Sequence, residues 1–322
     1  EWGGSSDHSY GHGRWNHPTH IARRLVAVDD RVYVTLGFNE PLSVLDAATG
    51  RSIQTYAHTE FTDEILLDNG TLFLAVNGQA QGSGSLKTSP AVKKEIVAIR
   101  AESGELLWRT PGFVGVASKA DAIERITHVC LTLGPEHLFC VEEETIVALD
   151  RATGKRVWEI DRDERGRPVT YGSYYFTNLC SLVAHDRVLL FMEPDPTLTK
   201  QPWNGPAKSK LFGISAETGK ILWNRDIGMW GHYSPGDLFV IDSLAWVHDR
   251  QSFAMIGLDP LTGELRRSLP TEKALDQGHH HRCYRNKATV QYIVTGRRGV
   301  EFIDLQSDQN LRHHWVRGTC RY

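Results

Sequence analysis

Long apolar runs are missing from this 322-residue chain; none approaches the roughly 20 residues that a membrane-spanning helix requires. An excess of one charge is missing too. Lys and Arg number 36 against 39 Asp and Glu, a formal net charge of −3, which gives no reason to expect nucleic acid or an anionic membrane as partner. Five cysteines are an odd count and far below the density of a disulfide scaffold. No nucleophile elbow, Walker loop or zinc-peptidase helix occurs, so those hydrolase and nucleotide-hydrolysing chemistries have no support. No leader is visible, yet the chain opens on Glu1 rather than Met; a removed leader or a longer parent protein would each account for that.

Glycine and tryptophan are plentiful, at 29 and nine residues, a mixture suited to turn-rich β structure. Three segments align without gaps: "VAIRAESGELLWR" from Val97, "VALDRATGKRVWE" from Val147 and "FGISAETGKILWN" from Phe212. Each reads as an apolar strand, a tight turn closed by Gly, and a second strand with Trp four residues after that Gly. The turn glycines are Gly104, Gly154 and Gly219, and the tryptophans Trp108, Trp158 and Trp223. Weaker copies carry Gly50, Gly263 and, in "EFIDLQSDQNLRHHW", Asp308 at the turn, a tolerable exchange because Asp also visits left-handed conformations. Upstream of each lies another hairpin, such as "LVAVDDRVYVTL" and "LVAHDRVLLFM".

Each repeat therefore holds four short strands, A to D. The repeats span approximately residues 21–58, 62–112, 126–162, 179–228, 237–272 and 279–316, with a seventh beginning at 317–322 and a polar arm or ring-closing strand at 1–20. Turn residues recur at intervals of 44 to 65 positions, the period of propeller blades. Period-2 alternation rich in Val, Ile and aromatics disfavours a helical repeat. The expected fold is all-β: a β-propeller of four-stranded antiparallel blades, six units visible, as part of a seven- or eight-bladed ring. A fragment whose closing blades lie elsewhere is the leading expectation, since an open ring leaves sheet edges exposed. A self-closing six- or seven-bladed ring, completed by residues 1–20, is the alternative.

"ALDRATGKRVW" (Ala148 to Trp158) resembles the blade signature of the pyrroloquinoline-quinone (PQQ)-like propeller family. The resemblance covers roughly residues 24–316 and is strongest in the three Trp-bearing copies; Gln54, Arg267 and Arg312 replace the Trp elsewhere. It implies that these tryptophans dock between blades. The family includes quinoprotein alcohol dehydrogenases and an outer-membrane assembly lipoprotein that binds protein partners and no quinone. The C-terminal stretch from "HHHRCYRNKAT" onwards is also similar to large bacterial propeller proteins, some joined to a methyltransferase. No glycine-rich S-adenosylmethionine loop appears here. A periplasmic or secreted location is implied by the resemblance alone.

The A–B and C–D turns stay short, whereas insertions gather on the opposite face, in the B–C segments from Asn77 and Glu193 and the D–A segments from Glu164 and Gly228. Loops on a rigid scaffold carry function, so binding is expected there. Candidate ligand contacts are Tyr171, Tyr174, Tyr175, Trp203, Trp230, Tyr233 and the run His279, His280, His281, Arg282 and Arg285. Tyr and Trp suit stacking on sugars or capture of a protein partner; each is equally an aromatic that covers an inter-blade seam.

Cys130 and Cys180 stand at the same place in consecutive repeats, five residues before their A–B turns, and Cys283 and Cys320 lead into later A strands. Three readings stay open: a small apolar residue in a crowded strand, disulfides Cys130–Cys180 and Cys283–Cys320 in an oxidising compartment, or metal ligation. For the last, His279, His281 and Cys283 share a strand face and are plausible zinc or copper ligands. Cys140, in a B strand, reads as core. A quinoprotein oxidoreductase would need PQQ, calcium with its oxygen ligands and an adjacent Cys-Cys pair; no two cysteines are neighbours and no Asp, Asn or Glu cluster stands out. The favoured reading is a non-catalytic propeller acting as a binding or scaffold module for a protein or carbohydrate ligand, without a cofactor. The quinoprotein is the alternative.

Overall fold

The computed structural model describes residues 24–37, 40–77, 93–117, 127–142, 144–162, 181–194, 206–230, 237–275, 286–307 and 309–315. Among them are six four-stranded antiparallel sheets, each formed by strands consecutive in sequence. Sheet 1 comprises β1 (Leu25–Val28), β2 (Arg31–Thr35), β3 (Leu42–Asp46) and β4 (Ser52–Thr55). Sheet 2 comprises β5 (Thr62–Asp68), β6 (Thr71–Asn77), β7 (Lys94–Arg100) and β8 (Leu106–Phe113). A two-stranded pair follows, β9 (Val116–Ala117) with β10 (Thr127–His128). Sheet 3 is β11 (Thr132–Leu133), β12 (His137–Val141), β13 (Thr145–Asp150) and β14 (Arg156–Asp161). Sheet 4 is β15 (Ser181–His185), β16 (Val188–Pro194), β17 (Pro206–Ser215) and β18 (Ile221–Trp230). Sheet 5 is β19 (Leu238–Ile241), β20 (Leu244–Asp249), β21 (Ala254–Leu258) and β22 (Leu265–Pro270). After a short helix at Glu272–Leu275 come β23 (Lys287–Ala288), β24 (Tyr292–Thr295), β25 (Val300–Asp304) and β26 (Leu311–His313) of sheet 6. These sheets are propeller blades. The chain divides into two compact halves, residues 1–162 with sheets 1 to 3 and residues 163–322 with sheets 4 to 6.

Strand alternation distributes the core between successive sheets of each half. In sheet 2, Leu72, Leu74, Val76, Val97 and Ile99 join Tyr33, Leu42 and Val44 of sheet 1 in one buried cluster. Their strand neighbours Phe73, Ala75, Ile96 and Ala98 point the other way, into a cluster with Leu138, Cys140, Val147 and Leu149 of sheet 3. Residues i and i+1 of a strand face opposite sides, so a sheet buried on both faces reads as an unbroken apolar run, as "TLFLAV" does. In the second half, one cluster joins sheets 4 and 5 and another joins sheets 5 and 6.

The C–D turns repeat one hydrogen-bonding pattern. The N–H of Gly50, Gly104, Gly154, Gly219 and Gly263 donates to the carbonyl four residues earlier, at 2.8–2.9 Å. All five glycines hold φ between 70° and 75°, a left-handed conformation that a Cβ disfavours. Where Asp occupies the fourth position before Gly, its carboxylate accepts the backbone N–H of Thr49 (2.7 Å), Thr153 (2.8 Å) or Thr262 (3.0 Å). The Thr49 and Thr153 hydroxyls, and then the same residues' N–H groups, hold the carboxyls of Asp46 and Asp150 below their ordinary range, and the Thr262 N–H does so first for Asp259.

Across three of the seams a large aromatic donor meets the next turn. Trp108 donates its indole N–H to the Arg151 carbonyl at 2.8 Å, and its ring fills the space a Cβ on Gly154 would need. Trp223 donates to the Pro260 carbonyl at 2.9 Å, with its ring 2.5 Å from the Cβ position of Gly263. Sheet 1 has Gln54 at the Trp position, and there Tyr56, two residues on and on the same face, takes over. Its hydroxyl donates to the Ala101 carbonyl at 2.6 Å, and its ring lies 3.0 Å from the Cβ position of Gly104. All three acceptors stand three residues before a turn glycine.

Within each sheet a small residue makes room for the indole. Ala98, Ala148 and Gly213 pair with Trp108, Trp158 and Trp223, and the strand register shifts immediately after each pair. Such a bulge sharpens the local twist and re-aims the side chain. Trp158 also meets Phe139 of its own sheet at 5.7 Å between ring centres. Sheet 5 exchanges the parts: Arg267 stands at the Trp position and lies over the ring of Trp246, on β20, at 5.8 Å.

Trp108→Ala should destabilise the protein by ~3–5 kcal/mol through the cavity it leaves. Tyr56→Phe, which removes one hydrogen bond, should cost about 1 kcal/mol. Denaturant midpoints that stay at the wild-type value for both variants would show that the seams do not depend on these donors.

Candidate functional site

Each sheet has a turn end, with its A–B and C–D turns, and a connection end, where the B–C segment and the D-strand exit lie. In sheet 2 the connection end holds a buried polar set. Asn77 closes β6 and Lys94 opens β7, so these two residues bracket the first B–C insertion. The Lys94 side chain is 0% exposed and its ammonium sits 2.5 Å from Asp63 of β5. It also donates to the Asn77 side-chain carbonyl at 2.6 Å. The Asn77 amide in turn donates to Asp63 and to the Phe61 carbonyl, each at 3.2 Å. A buried ammonium is tolerable only when paired and hydrogen-bonded, and this one is both. Burial pulls the nearby Arg24 guanidinium below its ordinary value, and the Asp63 charge opposes that shift.

Carboxylates at the connection ends also fasten one sheet to the next, in two patterns that occur in both halves. In the first, a carboxylate at the start of an A strand receives the backbone N–H leading into the following A strand: Leu131 to Glu64 at 2.7 Å, and Asn286 to Asp237 at 2.7 Å. In the second, a carboxylate at the end of a B strand receives an N–H from the preceding D strand: Val114 to Glu142 at 2.9 Å, and Gly228 to Asp249 at 2.8 Å. Glu142 is further paired with Arg156 at 3.1 Å. Burial pushes the Asp249 carboxyl upward, but hydrogen bonds from Ser252, Gly228 and Gln251 outweigh it and hold the group below its ordinary value. In sheet 6, Glu301 is fully buried and accepts the N–H groups of Arg297, Arg298 and Gly299 at 2.7–3.0 Å.

The links between the sheets of the first half carry backbone strain. His58 (φ 60°), Phe61 (φ 64°) and Cys130 (φ 46°) are all left-handed without being glycine, conformations that persist only where surrounding structure enforces them. Beside His58 opens a cleft of about 410 Å³, lined by Val97, Ile99, Leu106, His58, Thr59 and Arg109 among others. It exists because β4 is four residues long where β8 is eight, so sheet 1 leaves part of sheet 2 uncovered. Arg109 is held at the rim by Glu95 and by the His58 carbonyl at 3.0 Å.

Tyr171, Tyr174, Tyr175, Trp203, Tyr233, His279, His280, His281, Arg282, Arg285, Cys180, Cys283 and Cys320 lie outside the described residues. Trp230 ends β18, paired with Pro206. Cys130 and Cys140 are both buried, and burial pushes the Cys140 thiol well above its ordinary value. Among the described residues no group of three or more His, Cys, Asp or Glu could hold a metal ion; the buried carboxylates there are turned to backbone N–H groups and cations rather than towards a shared centre.

Sequence reasoning missed the Asp63–Asn77–Lys94 set. The available signal was strand parity: Lys94 shares a strand face with the core residue Ile96, and a lysine at such a position needs a buried partner.

Residues 42–235 and 93–292 match the family described as outer membrane protein assembly factor BamB. No curated protein matches the sequence. Among solved structures, BamB from Moraxella catarrhalis superposes with a TM-score of 0.55 at 13% identity, covering 91% of this chain and 76% of that one. A quinohemoprotein alcohol dehydrogenase from Pseudomonas putida HK5 gives a TM-score of 0.47 at 13% identity, covering 86% of this chain and 51% of that one. Likeness at such identity is likeness of fold.

Lys94→Met should destabilise the protein by about 3–5 kcal/mol, because Asp63 is left buried without its cation. Lys94→Met combined with Asp63→Leu should recover most of that loss. A double variant as unstable as the single one would show that the charge pair is not what Lys94 contributes.

Proposed function

Because the chain belongs to the outer membrane protein assembly factor BamB family, we propose that it is a non-catalytic binding or scaffold module, working through loops at the connection ends of its sheets. The observation that carries this reading is the Asp63–Asn77–Lys94 set. It ties the residues at both ends of the first B–C insertion to the sheet with a buried, hydrogen-bonded charge pair, the kind of support that a preorganised binding loop requires. Of protein and carbohydrate, the family description favours a protein partner. The residues proposed to touch it are Tyr171, Tyr174, Tyr175, Trp203, Trp230 and Tyr233, with the His279–Arg285 run beside them. The same description supports a periplasmic location over a secreted one; among the described residues no helix is long and apolar enough to cross a membrane.

Two measurements test the reading. Purified outer membrane protein and a panel of polysaccharides serve as probes for wild type and for the Trp203→Ala/Trp230→Ala variant. Binding of the protein probe, lost in the double variant at unchanged Tm, supports the proposal; a variant that no longer folds assigns the two tryptophans to the core. Absorbance titration of the dialysed protein with PQQ, with and without calcium, should stay flat. Saturable binding with a perturbed quinone spectrum would replace the scaffold reading with that of a quinoprotein oxidoreductase.

A further inference from the structure

The two seams of the first half can be compared position by position. Nine residues past the turn glycine, sheet 2 carries Phe113 and sheet 1 carries Thr59, and both are buried. One residue earlier stand Gly112 and His58, both left-handed, at φ 97° and 60°. Phe113 joins one buried cluster with Cys140 and Val147 of sheet 3, and the Arg156 guanidinium lies over its ring at 5.0 Å. Thr59 instead borders the cleft of about 410 Å³, beside Val97, Ile99 and Leu106 of sheet 2. Val97 and Leu106 hold the places in sheet 2 that Val147 and Arg156 hold in sheet 3, seven residues before and two after the turn glycine. The cleft therefore lies where the neighbouring seam keeps a phenyl ring.

We propose that this cleft receives an aromatic side chain of a protein partner, an inference that rests on the scaffold reading above. Its floor is apolar: Val97 and Ile99 are buried in sheet 2, and Leu106, 54% exposed, forms a wall that a ring would cover. Arg109 supplies the guanidinium. Its hydrogen bonds to Glu95 and to the His58 carbonyl at 3.0 Å lie in the plane of the group, so they hold it without using the faces that stack on a ring. An aliphatic guest would gain burial alone. A ring gains burial and the cation–π contact that Phe113 makes with Arg156. The edge of the cleft is set before binding, since the Arg109 bond also ties down the left-handed backbone of His58.

Methyl NMR of the full chain, titrated with N-acetyl-phenylalanine amide into the millimolar range, tests the guest, with N-acetyl-leucine amide as the ring-free control. The ring probe should shift the methyl signals of Val97, Ile99 and Leu106 saturably, and the control should bind about three- to fivefold more weakly. Arg109→Gln should weaken the ring probe by a similar factor. Leu106→Glu should weaken it about tenfold and should weaken binding of purified outer membrane protein too. Leu106 is exposed, so Tm should not change. A wild type whose methyls do not shift overturns the proposal, as do a control that binds as tightly as the ring or variants that bind like wild type. Ring binding in the cleft, with the outer membrane protein indifferent to a folded Leu106→Glu variant, overturns the partner's use of the cleft while the scaffold reading stands. If the ring probe binds wild type and the outer membrane protein does not, the scaffold reading falls and the cleft's preference for a ring is upheld.

Discussion

One hydrogen bond recurs in three of the described seams: an aromatic donor at the D-strand end of one sheet reaches the carbonyl three residues before the turn glycine of the next sheet. Several sequence features exist to serve it. The turn residue is glycine because φ is left-handed there, and at Gly104, Gly154 and Gly263 a ring also lies where a Cβ would be. The residue paired with the indole is Ala98, Ala148 or Gly213 because a larger one would collide with it. The register shift that follows each such pair aims the ring out of its own sheet. Remove the donor and these accommodations become cavities.

Burial on two faces then divides the energetics into local terms. Leu74 and Ala75 are chain neighbours, yet they pack into different seams. Substitutions at such positions act on separate interfaces and add nearly independently, as nearest-neighbour behaviour in repeat proteins requires. Polar ties do the corresponding work at the connection ends. Backbone N–H groups that leave one sheet are received by carboxylates of the adjoining sheet, so the links between sheets are fixed without being made apolar. The result is a set of sheets on which the first long insertion is tied at both ends, by Asn77 and Lys94, the division of labour that a binding scaffold uses.

The repeat was legible in the sequence because its signals are local. Glycine at a tight turn, Trp four residues later and period-2 alternation are each set within a dozen residues. Tyr56 was not legible. The repeat frame looks for the donor at the position of Gln54, and only the three-dimensional pairing shows that a ring two residues on reaches the equivalent carbonyl. Lys94 was hidden for a related reason: at the border of a polar insertion, a lysine reads as solvated until strand parity places it beside Asp63, 31 residues earlier. The loop residues chosen as ligand contacts had no periodicity to place them, and all but Trp230, at the end of β18, fall in segments outside the described residues.

The exchange of tryptophan for tyrosine in the first seam gives the three seam donors unequal chemistry. An indole N–H does not ionise in water at any ordinary alkalinity, but a phenol does. Burial raises the Tyr56 hydroxyl from 10.0 to about 12, because the phenolate would lose its hydration inside the seam. Below the unfolded value of about 10 the full contribution of Tyr56 is present; above it the unfolded chain gains by losing the proton, and the contribution is gone once pH passes the folded value. Alkali therefore acts on the protein asymmetrically, loosening sheet 1 from sheet 2 while the seams held by Trp108 and Trp223 keep their donors.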